Sequence, residues 1–205
     1  MPNVSNVKSK FFGAVDALDA DGISVAASIG SATTLTLGGT LTSGGSYTSG
    51  DNIGQLVTIL SAADDSGITF TIVGTDAVGD AQTEVVTGAD ASTATSSGYF
   101  NTVASITTSG ASAGNVSAGV TGTGTGTVFA GRTRIRGLQG LSGASAGNLL
   151  FKNTSVTGTT LLTVPTQAAA ELIEPYIPDN AVLFDAGAYV NFGSAVATVT
   201  VFYDG

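Results

Sequence analysis

The sequence predicts an all-β protein built from two small antiparallel β-sandwich or jelly-roll-like domains behind an N-terminal extension. Three observations carry that prediction. Short runs alternate apolar with hydroxyl residues, glycine-dense turns separate those runs, and no helix-period stretch is long enough to form a helical layer.

Residues 1–30 form the extension. They show no steady period, and FFGAVDAL could be a short helix, an extended arm or a strand docking elsewhere. Chain termini are loose unless tied down. The sharper expectation is an arm whose Phe11 and Phe12 anchor a neighbouring subunit.

The first β domain is expected over 31–122. ATTLTL alternates with leucine, and GGTLTSGGSYTSGDN then supplies turn chemistry. GQLVTIL follows, and GITFTIV puts Ile68, Phe70 and Ile72 on one face of a half-buried strand. AQTEVVTG is expected to pair with that strand, and a longer segment is centred on Tyr99, Phe100, Val103 and Ile106. The alternating Gly/Thr of 121–127 resembles a flexible or extended connector, which puts the domain boundary near 123; the alternative is a Gly-rich edge strand or hairpin loop within one domain.

The second β domain is expected over 123–205, from TVFAGRTRIRGL through GNLLFKNT, TTLLTVP, AVLFDAG and AYVNF to ATVTVFYDG. One helix signal interrupts it, AAAELI, cut off by Pro175 and Pro178.

Composition narrows the function. Apolar residues make up 42% of the chain, enough for a core, while charged residues make up 10%, against about 25% in ordinary soluble domains. The resulting neutral surface suits a chain packed against copies of itself or a lattice. No base occurs between Lys10 and Arg132, whereas ten acids lie there, and the net charge is −9. Phosphate neutralisation needs a basic patch, so a nucleic-acid partner is not expected. No run approaches the roughly 20 apolar residues of a membrane span. Lys8 and Lys10 precede an apolar patch that Asp16 and Asp19 interrupt, a poor signal peptide. The chain is therefore expected to be made and folded in a cytoplasm. The lack of cysteine leans towards a prokaryotic or viral source.

The residues do not read as those of an enzyme. Without histidine or cysteine there is no Ser-His-Asp triad, thiolate nucleophile or zinc–sulfur site. TGTGTG lacks the lysine of a phosphate-binding loop. Asp64, Asp65, Asp76 and Asp80 flank a strand pair, but DAVGD is not a calcium-loop spacing. They read as turn residues bonded to nearby backbone, and no metal or cofactor is expected.

GRTRIRG is the most pointed feature. In a strand, Arg132, Arg134 and Arg136 project from one face while Thr133 and Ile135 face the other. Either intramolecular carboxylates such as Glu171 and Glu174 answer them, or the stripe docks an acidic neighbour, for example the acidic N-terminal domain of another copy.

The pieces DDSGITFTIVGTD, TEVVTG and YFNTVASITTSGASAGNVSAG resemble a β-sandwich module common in structural proteins of tailed bacteriophages. The C-terminal stretch, from GRTRIRGLQ through LLTVP and AVLFDAGAYVNF to ATVTVFYDG, is similar to a second small β module of virion proteins. Together they cover roughly 50–205. The resemblance implies a virion component, first of all a capsid decoration (cement) protein bound to the major capsid protein and stabilising the head. A tail, collar or fibre component that recognises host glycans is the alternative. Unpaired strand edges invite partners, so a symmetric homo-oligomer is expected, a trimer favoured, with Phe11, Phe12, Arg132, Arg134 and Arg136 as contact residues.

Overall fold

The computed structural model describes residues 6–193 and 196–205. Its elements are strands joined by turns, and the protein is all-β. In chain order they are β1 (Val7–Phe12), β2 (Asp19–Ser28), β3 (Thr42–Ser43), β4 (Ser46–Thr48), β5 (Gly54–Ser61), β6 (Thr69–Thr75), β7 (Ala81–Thr87), β8 (Thr93–Phe100) and β9 (Thr102–Thr108). Then follow β10 (Asn115–Phe129), β11 (Thr133–Ser142), β12 (Gly147–Asn153), β13 (Thr160–Thr166), β14 (Leu172–Ile173), β15 (Val182–Phe184), β16 (Ala188–Gly193) and β17 (Val196–Asp204).

The chain forms two compact units, residues 16–124 and residues 1–15 with 125–205. The chain crosses between them at 15/16 and at 124/125. The expected extension of 1–30 is divided: β1 belongs with the C-terminal unit and β2 with the other, while residues 1–5 lie outside the described ones.

In the 16–124 unit, β2, β10, β5 and β8 are neighbours in one sheet, and β3, β4, β9, β6 and β7 form another. Ile23, Val57, Ile59 and Val116 from the first sheet and Phe70, Ile72, Val103 and Ile106 from the second share one buried cluster. β6 runs antiparallel to β7, with Phe70 opposite Val86 and Val73 opposite Thr83. That strand pair is the one expected from the alternation of GITFTIV and its pairing with AQTEVVTG. The segment around Tyr99 to Ile106 is two strands that meet at Asn101, whose amide donates to the carbonyls of Gly50 and Ile53. ATTLTL makes only a bridge, Thr34 to Thr107, although Leu35 and Leu37 are buried as its alternation requires.

The Gly/Thr run at 121–127 is strand throughout, so the connector is extended rather than flexible. β-branched threonine favours the pleat, and glycine permits close backbone approach. At Gly119 in the same strand, a Cβ would collide with the Asp19 carbonyl oxygen, where the β2–β10 register shifts.

In the other unit, β1, β17, β11 and β14 lie side by side with β15 also on β11, and β13, β12 and β16 form a second layer. Its core includes Phe12, Ile135, Leu149, Phe151, Phe184 and Phe192. The AAAELI helix does not form. Ala169 and Ala170 take positive φ (81° and 50°), and Leu172–Ile173 pairs with β11 instead. A six-residue helix before proline gains too few hydrogen bonds to offset nucleation. The extended form lets Ser142 donate its backbone N–H to the Glu171 carbonyl at 2.8 Å and its hydroxyl oxygen accept the Glu171 N–H at 2.8 Å.

Candidate interaction surface

β1, β17 and β11 have one face on the core and one outside. The register pairs Phe12 with Val199 and Phe11 with Thr200. Phe12 is wholly buried, its ring meeting that of Phe192 edge-on with centroids 6.5 Å apart. The expectation that Phe12 anchors a neighbour is therefore corrected: its apolar area is already used in its own core. Phe11 points the other way and is 42% exposed.

The same alternation runs along β17. Val199, Val201 and Tyr203 are buried, and Phe202, out of phase with them, is 36% exposed on the outer face. Phe202 pairs with Ser9 on one side and Gly137 on the other. Because Gly137 has no side chain, nothing from that position covers the flank of the ring. Leu141 and Leu172 extend the outer apolar area further along the sheet.

β11 changes phase in its middle. Thr133 and Ile135 are buried before Arg136, and Leu138, Gly140 and Ser142 after it. The register against β17 shifts between Ile135 and Gly137, so Arg136 is the extra residue of a β-bulge. A bulge re-aims side chains and sharpens local twist. Up to the bulge the arginines keep the alternation predicted for GRTRIRG.

Carboxylates do answer the stripe, but Asp204 and Asp185 do so in place of Glu171 and Glu174. Arg136 donates from Nε to Asp204 Oδ2 at 2.6 Å, with Nη2 2.5 Å from the same oxygen, and from Nη1 to the Asp179 carbonyl at 3.0 Å. The hydrogen bond to Asp204 raises the already high pKa of Arg136. Arg134 donates from Nη1 to the Asn180 carbonyl at 2.5 Å. Arg132 is held more loosely, its Nε 3.7 Å from Asp185 Oδ1 with both side chains largely exposed. The Thr133 hydroxyl, facing inward, donates to the Asp204 carbonyl. Guanidinium has five N–H donors, so these contacts fix the stripe's direction and leave donors for an incoming acceptor. Lys8 and Lys10 lie over the rings of Phe129 and Phe12, and burial lowers the Lys10 pKa.

The acidic turns of the other unit are engaged locally. Asp64 Oδ1 accepts from the backbone N–H and hydroxyl of Ser66, and Asp76 Oδ1 from the N–H groups of Val78 and Asp80. Asp65 is buried and accepts the Ala113 N–H at 2.7 Å. Glu84 Oε1 accepts the Ser97 N–H and hydroxyl, and its Oε2 accepts the Gly98 N–H at 2.8 Å. Burial raises the Glu84 pKa, but these bonds outweigh it and hold the carboxyl below its ordinary range. Among the described residues, no group of three or more Asp and Glu side chains converges as a metal site. A cleft of about 470 Å³ in this unit is lined by residues of 24–31 and 33–38 with Val116, and its lining carries no titratable side chain.

The sequence marks Phe11 and the arginines as separate contact residues, and it does not mark Phe202, Leu141 and Leu172. The available signal was phase: in VATVTVFYD an apolar residue sits on the side its apolar neighbours leave. Compared with protein-family models, with curated proteins and with solved structures, the chain finds no match.

Proposed function

We propose that this chain is a structural subunit of a tailed-phage virion, first of all a capsid decoration protein that binds the major capsid protein and stabilises the head. It acts by adhesion between surfaces and makes no covalent bonds.

The observation that carries this reading is the outer face of β1–β17–β11. It combines partly exposed Phe11, Phe202 and Leu141 with arginines pre-aimed by backbone carbonyls and Asp204. Aromatic and arginine side chains are the groups that dominate protein interfaces. Held on strands, they lose little freedom on docking. The engaged state of Asp64, Asp76 and Glu84 supports the same reading, because Asp64 and Asp76 brace turns and Glu84 ties β7 to β8.

Copy number tests it. Quantitative mass spectrometry of purified particles is expected to find this chain in fixed ratio to the major capsid protein. A low copy number matching the tail or neck would move it to a tail, collar or fibre role. Absence from particles would overturn the reading.

A further inference from the structure

Charge is partitioned between the two units. Residues 16–124 hold ten acids and no base, whereas 1–15 with 125–205 hold all six bases and the other five acids. One unit therefore carries −10 and the other +1, and a copy of one is an electrostatic partner for a copy of the other.

The acidic unit carries an exposed hairpin that sets apolar and acidic side chains together. Its β6–β7 hairpin closes through the Asp76 N–H to the Asp80 carbonyl at 2.9 Å and the Gly79 N–H to the Asp76 carbonyl at 3.1 Å. Gly79 takes φ 93°, and Asp76 Oδ1 caps the turn from inside. At the tip Val78 is 54% exposed and Asp80 is exposed beside it. Val73 and Val85, out of phase with buried Phe70, Ile72 and Val86, continue the apolar surface outward. β7 ends its sheet.

We propose that the outer face of β1–β17–β11 receives the β6–β7 hairpin of a second copy. Valines of the hairpin cover Phe11 and Phe202, and Asp80 answers Arg132 and Arg134. The contact is head-to-tail, so it propagates to a ring where the rotation closes. This deepens the reading of the chain as an assembling subunit and rests on it only for the setting in which assembly occurs.

Sedimentation velocity on the purified full chain tests the pairing, with wild type, Arg134→Glu, Arg132→Glu, Asp80→Arg and, as a charge control in another loop, Asp51→Arg. Melting curves establish that each variant is folded. Wild type is expected to self-associate, less so at high salt. Reversal at Arg134, Arg132 or Asp80 should weaken association by about tenfold or more, since like charges then face each other. Asp51→Arg should leave it near wild type.

An equimolar mixture of Arg134→Glu and Asp80→Arg should recover association. Each contact in an alternating complex is then either native or charge-swapped. Monomeric wild type at low salt, normal association of Asp80→Arg, or a mixture no stronger than its components would each overturn the pairing. Protein abundant in particles but monomeric when purified would defeat this inference and leave the virion reading standing. Association by charge pairing in a protein absent from particles would do the reverse.

Discussion

The hydroxyl of Tyr47 donates to Oδ2 of Asp16 across 2.8 Å, although Tyr47 is wholly buried. Gln55 joins the pair: its Oε1 accepts the Asp16 N–H at 2.9 Å, and its Nε2 donates to the Asp16 carbonyl at 3.1 Å and the Thr121 carbonyl at 2.6 Å. Ser49 donates its hydroxyl to the same Oε1. One buried amide thus holds together the chain entry at Asp16, the strand β4 and the strand β10. Buried polar groups are costly when unpaired and rigidifying when satisfied.

Replacing Gln55 by leucine keeps the volume and strands those partners. The expected loss is about 2–4 kcal/mol of unfolding free energy. Denaturant titration measures it, and a change under ~0.5 kcal/mol would show that the node is dispensable.

Tyr47 also sets an alkaline limit. Burial foremost, and the nearby Asp16 carboxylate, push its pKa above the ordinary phenol value against the opposing Ser49 hydrogen bond. A raised folded pKa means that stability is intact below the unfolded value, about 10, and falls as pH climbs from there towards the folded one. The fall should approach about 1.4 kcal/mol per pH unit. Tyr47→Phe should be less stable at neutral pH and show a shallower decline above about pH 10.

Glu84 gives the acid counterpart. Its folded pKa is depressed, so its contribution is present above the unfolded value near ~4.3 and is lost as pH falls through the folded one. Asp64 shifts in the same direction through its Ser66 bonds. Glu84→Gln should destabilise by about 1–2 kcal/mol at neutral pH and flatten the acid limb. Melting temperature against pH, wild type beside variant, decides it.

Gly119→Ala tests the close approach of β2 and β10. The new methyl would collide with the Asp19 carbonyl oxygen, and backbone has to move. A loss of about 2 kcal/mol or more is expected. Gly67→Ala, where a Cβ meets nothing within 4 Å, should cost far less.

The parts of the fold legible in the sequence were those where one period persisted. GITFTIV alternates from Ile68 to Ile72, and β6 follows it with Phe70 and Ile72 buried and β7 paired alongside. Phase changes were harder to read. β11 shifts register at Arg136, so its buried set moves from odd to even positions, and only its partner β17 reveals that. AAAELI was misread because local propensity points to helix while the ladder with Gly140 and Leu141 decides otherwise. The arginine stripe was visible from spacing alone. Its partners, Asp185 and Asp204, come from distant parts of the chain that sequence alone does not bring together. Phe11 and Phe12 look alike in the sequence, and only the strand assigns them to opposite faces.

Add-back to particles that lack the protein tests the central claim most directly. The account predicts saturable uptake in constant ratio to the major capsid protein and a higher temperature of genome release. Arg134→Glu, folded by its melting curve, should take up less. Failure of the wild-type chain to bind, or binding that leaves release temperature unchanged, would contradict it.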